Sequence, residues 1–341
     1  MKKIVLFAML FGFLFSCSNK IKNVEKAFYY WKTNEYSLYG ANDSILKKVG
    51  ATKLYVKFFE VEKNEVMGYI PVVKTQLSTY NQDSLTIIPT VYIRNEVFLK
   101  SSKGSLDTLA DNVNFLIDKY SKNRLDRENG FAEYQMDCDW TINSKENYFY
   151  FLKKLKEISK KEISCTLRLY PYKYPDKMGI PPVDKVTLMC YNLINPIENP
   201  KKNSILDVDE LASYLNVKTK YPIHLDIALP IYSWMQVYQN DRFVKVIYNN
   251  HGYIKKHLKA IKPLWYELTE DVELDDIYLR VGDKIKYEEI TAAEIEKAIE
   301  IIKKKVVFDD TTTVTLFHLD NEQIKQFSNE EIARFYTDFS K

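Results

Sequence analysis

Short apolar runs rich in β-branched and aromatic residues recur along the chain, and amphipathic helical patterns separate many of them. This alternation is typical of parallel strands that are joined by crossover helices. The clearest helix follows Ser105, where apolar residues keep the i, i+3, i+4, i+7 spacing that places one stripe against a sheet. Eight runs qualify as strands, at residues 28–31, 53–60, 86–93, 133–140, 163–170, 185–192, 223–232 and 312–320.

Capping patterns mark the beginnings of three further helices. Thr291 is followed by a glutamate three residues later, and Ser328 and Asn143 show the same spacing. A hydroxyl or amide at the first position and a carboxylate at the fourth satisfy the free N–H groups of a helix start. Two stretches do not fit this scheme, because 61–83 contains no clear helix and 236–290 is too long for a simple connection.

Eight strands with intervening helices in about 300 residues fit the α/β class, as a (β/α)8 TIM barrel. The barrel is then formed by 27–235 and 291–341, and 236–290 becomes a small subdomain inserted between the last two strands. An open, doubly wound parallel sheet is the alternative. That alternative usually binds nucleotides, but no GxGxxG follows the first strand and no phosphate loop is present.

Composition excludes several classes of protein. Among the 341 residues, 49 lysines and arginines nearly balance 46 aspartates and glutamates, so the net charge is only +3. No long basic run is present, which argues against a nucleic-acid partner. Nine glycines and eleven prolines are too few for a collagen-like or low-complexity chain.

The N-terminus has the pattern of an export signal. Lys2 and Lys3 precede an apolar run, 4–15, that is too short to span a bilayer as a permanent helix. Leu14-Phe15-Ser16-Cys17 resembles a bacterial lipobox. We therefore expect a signal peptide at 1–16, a lipid such as palmitate on Cys17, and a tether at 17–26. An ordinary signal peptide or an uncleaved anchor is the alternative.

These features predict a lipoprotein of the bacterial cell envelope, held at the outer membrane and facing the periplasm or the surface. Three cysteines follow the signal, Cys138, Cys165 and Cys190, and each lies in an apolar run. Free cysteine in such a run usually behaves as a small buried hydrophobe. Neither the cysteines nor the four histidines have metal-ligand spacing, so the sequence predicts no metal and no cofactor.

The fourth predicted strand carries two carboxylates on one face, because Asp137 and Asp139 are two residues apart. Paired carboxylates inside a barrel raise the pKa of one of them and are favoured sites for proton transfer or for orienting a substrate. Tyr191, on the sixth strand, would bring a hydroxyl close to them. A purely structural role is the alternative, in which both aspartates bond to barrel hydroxyls and to Arg168.

Other candidate binding residues lie at or near strand ends, since the carboxyl-end rim of a barrel carries the site. Aromatic faces suit the CH-rich face of a sugar, while arginine suits a carboxylate or phosphate. The candidates are Trp31, Glu60, Arg168, Tyr170, Asn192, Asp226, Tyr232, Trp234, His318 and Asp320.

Three of these segments resemble a known family. Asp137-Cys138-Asp139-Trp140-Thr141 is similar to the DxDxE end of the fourth-strand signature of family 18 glycoside hydrolases, the chitinase-like barrels. Met189-Cys190-Tyr191-Asn192 is similar to their sixth-strand Met-x-Tyr-Asp, and 228–232 to their Gly-x-Pro-x-Tyr. The motifs occur in the family's order over roughly 133–320, and the family often carries an inserted subdomain between its last two strands.

The departures from the family bear directly on activity. Thr141 occupies the position of the glutamate that serves as the general acid, Tyr134 replaces the first aspartate of the signature, and Asn192 replaces the sixth-strand aspartate. The resemblance implies that Asp139 orients an N-acetyl group, that Tyr191 bonds to its carbonyl, and that Asp137 lies behind them. Loss of a general acid removes roughly 10²–10⁴-fold of rate, without a matching loss of binding.

The leading hypothesis is therefore a membrane-anchored, glycoside-hydrolase-like barrel lipoprotein that binds a glycan, with reduced or relocated hydrolytic activity. One alternative is an active hydrolase in which Glu60, Asp226 or Asp320 acts with one of the two signature aspartates. Another is a structural or interaction lipoprotein whose barrel is only a scaffold. The sequence pattern is compatible with an enzyme and with a binding protein, and it specifies neither the sugar nor the oligomeric state.

Overall fold

The computed structural model describes residues 21–32, 41–75, 85–125, 130–217, 219–248, 251–274 and 277–341. The expected signal peptide, Cys17 and the first part of the expected tether lie outside the described residues. In the part of the chain that is described, no helix is both long and apolar enough to cross a membrane.

The strands of the described ranges form one large and two small sheets. In chain order they are β1 (Asn23–Tyr30), β2 (Lys53–Asn64), β3 (Gly68–Val72), β4 (Thr86–Ile93), β5 (Glu133–Asp137), β6 (Glu162–Leu167), β7 (Lys185–Met189), β8 (His224–Pro230), β9 (Trp234–Gln239), β10 (Arg242–Ile247), β11 (Leu258–Lys262), β12 (Trp265–Leu268), β13 (Val272–Leu274), β14 (Ile277–Leu279), β15 (Lys284–Glu288) and β16 (Thr311–Phe317).

Helices follow most of the strands of the large sheet, and two short 3-10 turns occur at Asn95–Phe98 and Lys255–His257. The α-helices of the described ranges are α1 (Ala41–Val49), α2 (Lys103–Leu125), α3 (Lys145–Ser159), α4 (Leu169–Lys173), α5 (Pro175–Met178), α6 (Val208–Tyr214), α7 (His251–Ile254), α8 (Ala292–Lys305), α9 (Asn321–Ile324) and α10 (Asn329–Thr337).

Eight parallel strands close into a barrel, in the order β1, β2, β4, β5, β6, β7, β8 and β16. Closure depends on β1, which pairs in parallel with β16 on one side and with β2 on the other. An open doubly wound sheet would leave two strand edges unpaired, so the TIM barrel predicted from the sequence is confirmed and the alternative is wrong.

Strand boundaries differ from the prediction at two informative places. β1 begins at Asn23, inside the stretch 17–26 expected to be a tether, because its first four residues pair with β16 although they are mostly polar. β2 continues beyond the barrel to Asn64 and turns back antiparallel as β3, which accounts for the stretch without a helix pattern. The turn is closed by Gly68, whose φ of +75° is readily available only to glycine.

The predicted insertion between the last two barrel strands is confirmed. Its five-stranded antiparallel sheet has the order β10-β9-β15-β12-β11, and β13 pairs with β14 as a separate hairpin. The insertion has a hydrophobic core of its own, formed by residues that include Met235, Val237, Leu268 and Ile285. The larger core lies between the barrel and its helices and contains the thiols of Cys138, Cys165 and Cys190, all buried as predicted.

Two of the three predicted helix caps are confirmed. Thr291 and Ser328 each form a complete capping box with the glutamate three residues later. The expected cap at Asn143 is wrong, because α3 begins one residue later with Ser144 as the N-cap residue. The Ser144 hydroxyl donates to the side chain of Asn95, so this cap position connects the loops that follow β4 and β5 instead of satisfying the helix start.

Candidate functional site

Asp137 ends β5 and lies in the interior of the barrel close to its carboxyl-end rim. The Thr166 hydroxyl donates a 2.6 Å hydrogen bond to its carboxylate. Asp137 is only 8% exposed. Burial and then the neighbouring Asp139 raise its pKa, against the Thr166 hydrogen bond and the Arg168 and Lys57 cations, and the net result is a pKa of about 7. This carboxyl is therefore partly protonated near neutral pH.

Asp139 lies two residues further along, in the loop that follows β5. Its side chain is 55% exposed, and one carboxylate oxygen lies 3.4 Å from Nε of Arg168. Arg168 also donates from Nη2 to the backbone oxygen of Asn192, at 3.0 Å. This contact, like the Thr166 hydrogen bond to Asp137, is one that the structural alternative expected, and the guanidinium connects the loop after β5 to the loop after β7.

Tyr191 follows β7, and its side chain is buried. Its ring stacks on Phe317 with ring centroids 5.1 Å apart, and it meets Tyr232 edge to face. Burial first, then the neighbouring Tyr29 and Asp137, raise the pKa of Tyr191 well above its ordinary value. The hydroxyl therefore stays protonated at neutral pH and can donate a hydrogen bond.

Asn192, next to Tyr191, has a left-handed backbone with φ of +52°. Its side-chain oxygen accepts a 2.5 Å hydrogen bond from the hydroxyl of Tyr232, which follows β8. Asparagine tolerates this backbone better than most residues do. The side chain that replaces the family's aspartate therefore fixes the position of Tyr232.

Four aromatic side chains form a continuous row along the rim, and we call this row, Trp31, Phe317, Tyr232 and Trp234, the aromatic rim. Neighbouring ring centroids are 5.8, 5.5 and 5.8 Å apart. All but the buried Tyr232 are partly exposed. Phe317 was not among the predicted candidates, although its place at the end of the last strand, beside His318, was a signal that could have indicated it.

Lys57 and Glu60 both lie on β2, and only Glu60 was among the predicted candidates. A bulge between Lys57 and Phe59 returns Glu60 to the face of Lys57, and the two charges are 2.7 Å apart. The Lys57 ammonium also lies 5.4 Å from the ring centroid of Trp31. Its side chain is only 3% exposed. Sequence reasoning missed Lys57 because a lysine in a strand usually points to solvent.

His318 and Asp320 follow the last barrel strand. Burial lowers the pKa of His318 to about 4, so its imidazole is neutral at physiological pH. Asp320 caps α9 by accepting hydrogen bonds from the backbone N–H groups of Glu322 and Gln323, and it pairs with Lys32 at 2.6 Å. Although burial alone would raise the pKa of Asp320, the Lys32 ammonium and the cap hydrogen bond hold it below its usual value.

Two predicted residues lie apart from this cluster. Asp226 is fully buried low in β8, where it accepts hydrogen bonds from the backbone of Thr313 and from His224. Tyr170 lies on α4 and is 39% exposed, with its ring against Tyr174. The structure therefore gathers the other predicted residues around the rim and places these two away from it.

The positions where the chain departs from the family signature have structural roles. Thr141 is exposed, and its backbone N–H donates to the Ser144 hydroxyl in the turn before α3. Tyr134 points outward, where its hydroxyl donates to Asp118 of α2 at 3.0 Å. Within the described ranges, no three His, Cys, Asp or Glu side chains converge as ligands for a metal ion.

Comparison with known proteins reveals similarity at the level of the fold. No protein-family model matches the chain, and no curated protein sequence matches it. The chain is similar to the spore cortex-lytic enzyme SleL of Bacillus cereus, with 14% identity over 94% of this chain and 75% of that chain and a TM-score of 0.50. SleL of Bacillus megaterium QM B1551 gives 16% identity over 92% and 74%, also with a TM-score of 0.50.

A chitinase-like agglutinin of Robinia pseudoacacia is also similar, with 12% identity over 92% of this chain and 99% of that chain and a TM-score of 0.48. The two SleL enzymes share their barrel fold with this chain. At identities this low, the likeness shows the fold alone. The resemblance read from the strand motifs is confirmed as a glycoside-hydrolase-like barrel fold.

Proposed function

We propose that the protein binds a glycan at the carboxyl-end rim of its barrel and that its hydrolytic activity is reduced. The observation that carries this proposal is the convergence of Asp137, Asp139 and Tyr191 beside the aromatic rim, combined with a threonine at position 141. Asp137 ends β5, Asp139 follows it and Tyr191 follows β7, so all three lie at the end of the barrel where binding sites of this fold occur.

An N-acetylated sugar matches the chemistry of these groups. The protonated Tyr191 hydroxyl can donate to an acetamido carbonyl, and the Asp139 carboxylate can accept from the amide N–H. The partly exposed rings of Trp31, Phe317 and Trp234 offer flat apolar faces for the CH groups of a pyranose. Proteins named spore cortex-lytic enzymes share this fold, which supports a glycan of the cell envelope as the ligand.

The carboxylates that could replace the missing acid are engaged elsewhere. Glu60 is paired with Lys57, Asp320 caps a helix and pairs with Lys32, and Asp226 is buried low in the barrel. The exposed Thr141 hydroxyl cannot protonate a leaving oxygen at neutral pH. We therefore propose that the site binds its ligand but hydrolyses it only slowly.

Slow hydrolysis is the second candidate function, and the raised pKa of Asp137 favours it. A carboxyl with a pKa of about 7 carries a proton that it could transfer near neutral pH. In that case Asp137→Asn would abolish the release of reducing ends. A wild-type protein that releases no reducing ends from any bound glycan would exclude this candidate.

The binding proposal is tested by calorimetry with chito-oligosaccharides, peptidoglycan fragments and N-glycans. We expect at least one of these ligands to bind, and we expect Asp139→Ala and Tyr191→Phe each to weaken that binding about tenfold or more, which corresponds to the loss of roughly one hydrogen bond. Phe115→Ala, which removes an exposed ring from α2 on the outside of the barrel, is the matched control. A folded protein that binds no ligand of the panel would refute the proposal.

The reduced activity is tested by restoring the missing acid. Thr141→Glu places a carboxylate just before α3, where the helix dipole also favours a negative charge. We expect this variant to release reducing ends from a bound chito-oligosaccharide at least about tenfold faster than the wild-type protein. Fast release by the wild-type protein itself would show that hydrolysis has been retained.

We also propose that Cys17 carries a lipid that anchors the protein in the bacterial cell envelope. The lipobox-like Leu14-Phe15-Ser16-Cys17 supports this step. Growth with an alkyne-labelled palmitate should label the protein, and Cys17→Ser should abolish the label. Retention of the label in that variant would place the lipid elsewhere.

A further inference from the structure

Unpaired lysines gather at the end of the barrel where the strands begin. α1, α2, α3 and α8 end just before the barrel strands that follow them, so the last turns of these helices all lie at that end. We define the basic face by five lysines in or next to these last turns, Lys48, Lys122, Lys160, Lys161 and Lys304.

The lysines of the basic face keep their charge unneutralised. Neighbouring cations at the same end are paired, since Lys22, Lys156 and Lys220 form ion pairs with Asp310, Asp184 and Asp309. Among the residues that the structure describes, none of the five basic-face lysines has an ion-pair partner. The helix dipole favours a cation at the end of a helix, but Lys161 lies beyond Lys160, the C-cap residue of α3, and so outside the last turn.

The chain enters the barrel on this same face. Ile21 is already buried at 1% exposure, and the backbone N–H groups of Lys22 and Asn23 both donate to Asp310, at 2.9 Å. Cys17 precedes Ile21 by four residues, which can span at most about 14 Å. A lipid on Cys17, as proposed above, would therefore hold the basic face within about two Debye lengths of the bilayer at physiological salt.

We infer that the basic face docks on anionic phospholipid headgroups and turns the carboxyl-end rim away from the membrane. The short arm and the unpaired lysines act on one face, so the anchor supplies proximity and the charges supply orientation. β1 runs from this face towards Trp31, and its eight residues, in a strand tilted against the barrel axis, raise the aromatic rim roughly 20 Å further from the bilayer. A glycan on the side of the protein that faces away from the membrane would then be able to contact the site directly.

The test uses the full chain, purified in detergent and reconstituted into vesicles of phosphatidylcholine alone or of phosphatidylcholine with a quarter phosphatidylglycerol. Lysines are acylated with a water-soluble active ester, and each site is quantified by mass spectrometry. We expect labelling of the basic face to fall about fivefold on the anionic vesicles at low salt and to recover at high salt, because salt screens the contact. Lys103, Lys177 and Lys201, exposed near the rim end, should label equally on both vesicles.

Charge reversal distinguishes a docking face from general crowding. Lys48→Glu, Lys160→Glu and Lys304→Glu combined should abolish the protection of Lys122 and Lys161, whereas the matched control Lys103→Glu, Lys177→Glu and Lys201→Glu should retain it. Equal labelling of the wild-type basic face on both vesicles, or protection of the rim-end lysines instead, would overturn the inference.

Flotation with the neutral vesicles reports the anchor separately from the face. A chain that floats with phosphatidylcholine but shows no composition-dependent protection retains the anchor and loses the docking face. A chain that does not float with neutral vesicles, yet is protected on anionic ones, supports the docking face and refutes the lipid on Cys17. Neither outcome depends on glycan binding, so failure at the rim is distinguishable from failure here.

Discussion

The indole N–H of Trp234 donates a hydrogen bond to the carboxylate of Glu288, which is wholly buried. The two residues face each other across β9 and β15 of the insertion. The same carboxylate accepts hydrogen bonds from Gln236, at 2.8 Å, and from both the backbone N–H and the hydroxyl of Ser204. One carboxylate of the insertion thus fixes a ring of the aromatic rim and holds the loop that follows β7.

Removal of Glu288 should destabilise the protein strongly. Its carboxylate lies 2.7 Å from the ammonium of Lys286, and neither side chain is exposed. Glu288→Ala would leave Lys286 buried without its counter-charge, which costs about 3–5 kcal/mol in the free energy of unfolding. Denaturant unfolding measures this cost. The double variant Lys286→Met with Glu288→Gln removes both charges and should lose less; a single variant as stable as the wild-type protein would contradict the prediction.

Because of Asp137, the free energy of unfolding should fall as pH rises towards neutral. Its pKa is about 7 in the folded protein against an ordinary value of 3.8, so the folded state binds more protons between these values. The contribution is fully present below about pH 4 and is lost as pH rises through about 7, with each pKa unit worth about 1.4 kcal/mol. Asp137→Asn should remove this slope and be more stable than the wild-type protein at pH 8. The same pH dependence of the free energy of unfolding in both proteins from pH 4 to 8 would contradict the prediction.

Much of the barrel could be predicted because its strands are buried on both sides and read as apolar runs. β4, for example, has the predicted bounds. The strand predicted in place of β1 began too late. The polar first half of β1 is stabilised by pairing with a strand some 290 residues away, which no local sequence pattern indicates. The hairpin of β2 and β3 was not predicted either, because β3 is only five residues long and partly exposed.

In the candidate site, too, some features follow from the local sequence pattern and others depend on residues far away in the chain. Strand alternation predicted Asp137 and Asp139 on one face of a strand, but β5 ends at Asp137 and Asp139 lies in the loop that follows. Alternation could not show that Asp226 is too deep to reach the rim, because depth depends on the stagger between neighbouring strands. Lys57 was missed because its burial is made possible by Glu60 and Trp31, a combination created by a bulge that the sequence does not mark.

His224 should contribute stability that is lost at alkaline pH. Its two ring nitrogens bond to Asp226, at 3.1 Å, and to Asp309, at 2.9 Å, and Lys220 faces Asp309 from outside. The hydrogen bond to Asp226 raises the pKa of His224 above its ordinary 6.5, against the effect of burial, and Asp309 adds to the rise. The contribution is full below pH 6.5 and disappears as pH rises through the raised value.

The difference in melting temperature between the wild-type protein and His224→Gln, measured from pH 5 to 9, reports this contribution. We expect the difference to be largest at the acidic end and to shrink as the imidazole loses its proton. The glutamine keeps one donor and one acceptor near the two aspartates, so it serves as a neutral analogue. A difference that grows with pH would show that the histidine is neutral in the folded protein.

Loss of a ring from the aromatic rim should weaken glycan binding without unfolding the barrel. Trp31 is partly exposed, with one side against Tyr29 and Phe317 and the Lys57 ammonium over its ring. Trp31→Ala removes an apolar face that a pyranose could cover, and the lost contact should weaken binding about tenfold, equivalent to about 1.4 kcal/mol. Calorimetry with the tightest ligand of the panel measures the change.

Tyr170→Ala provides the matched control for this prediction. Tyr170 was also a predicted sugar contact and is an exposed aromatic side chain near a strand end, but its ring, on α4, packs against Tyr174, which follows that helix. We therefore expect its removal to leave the affinity unchanged within about twofold, because no rim contact is lost. Equal losses in both variants would mean that the ligand lies across α4, and that the aromatic rim is a structural cluster whose rings stabilise one another.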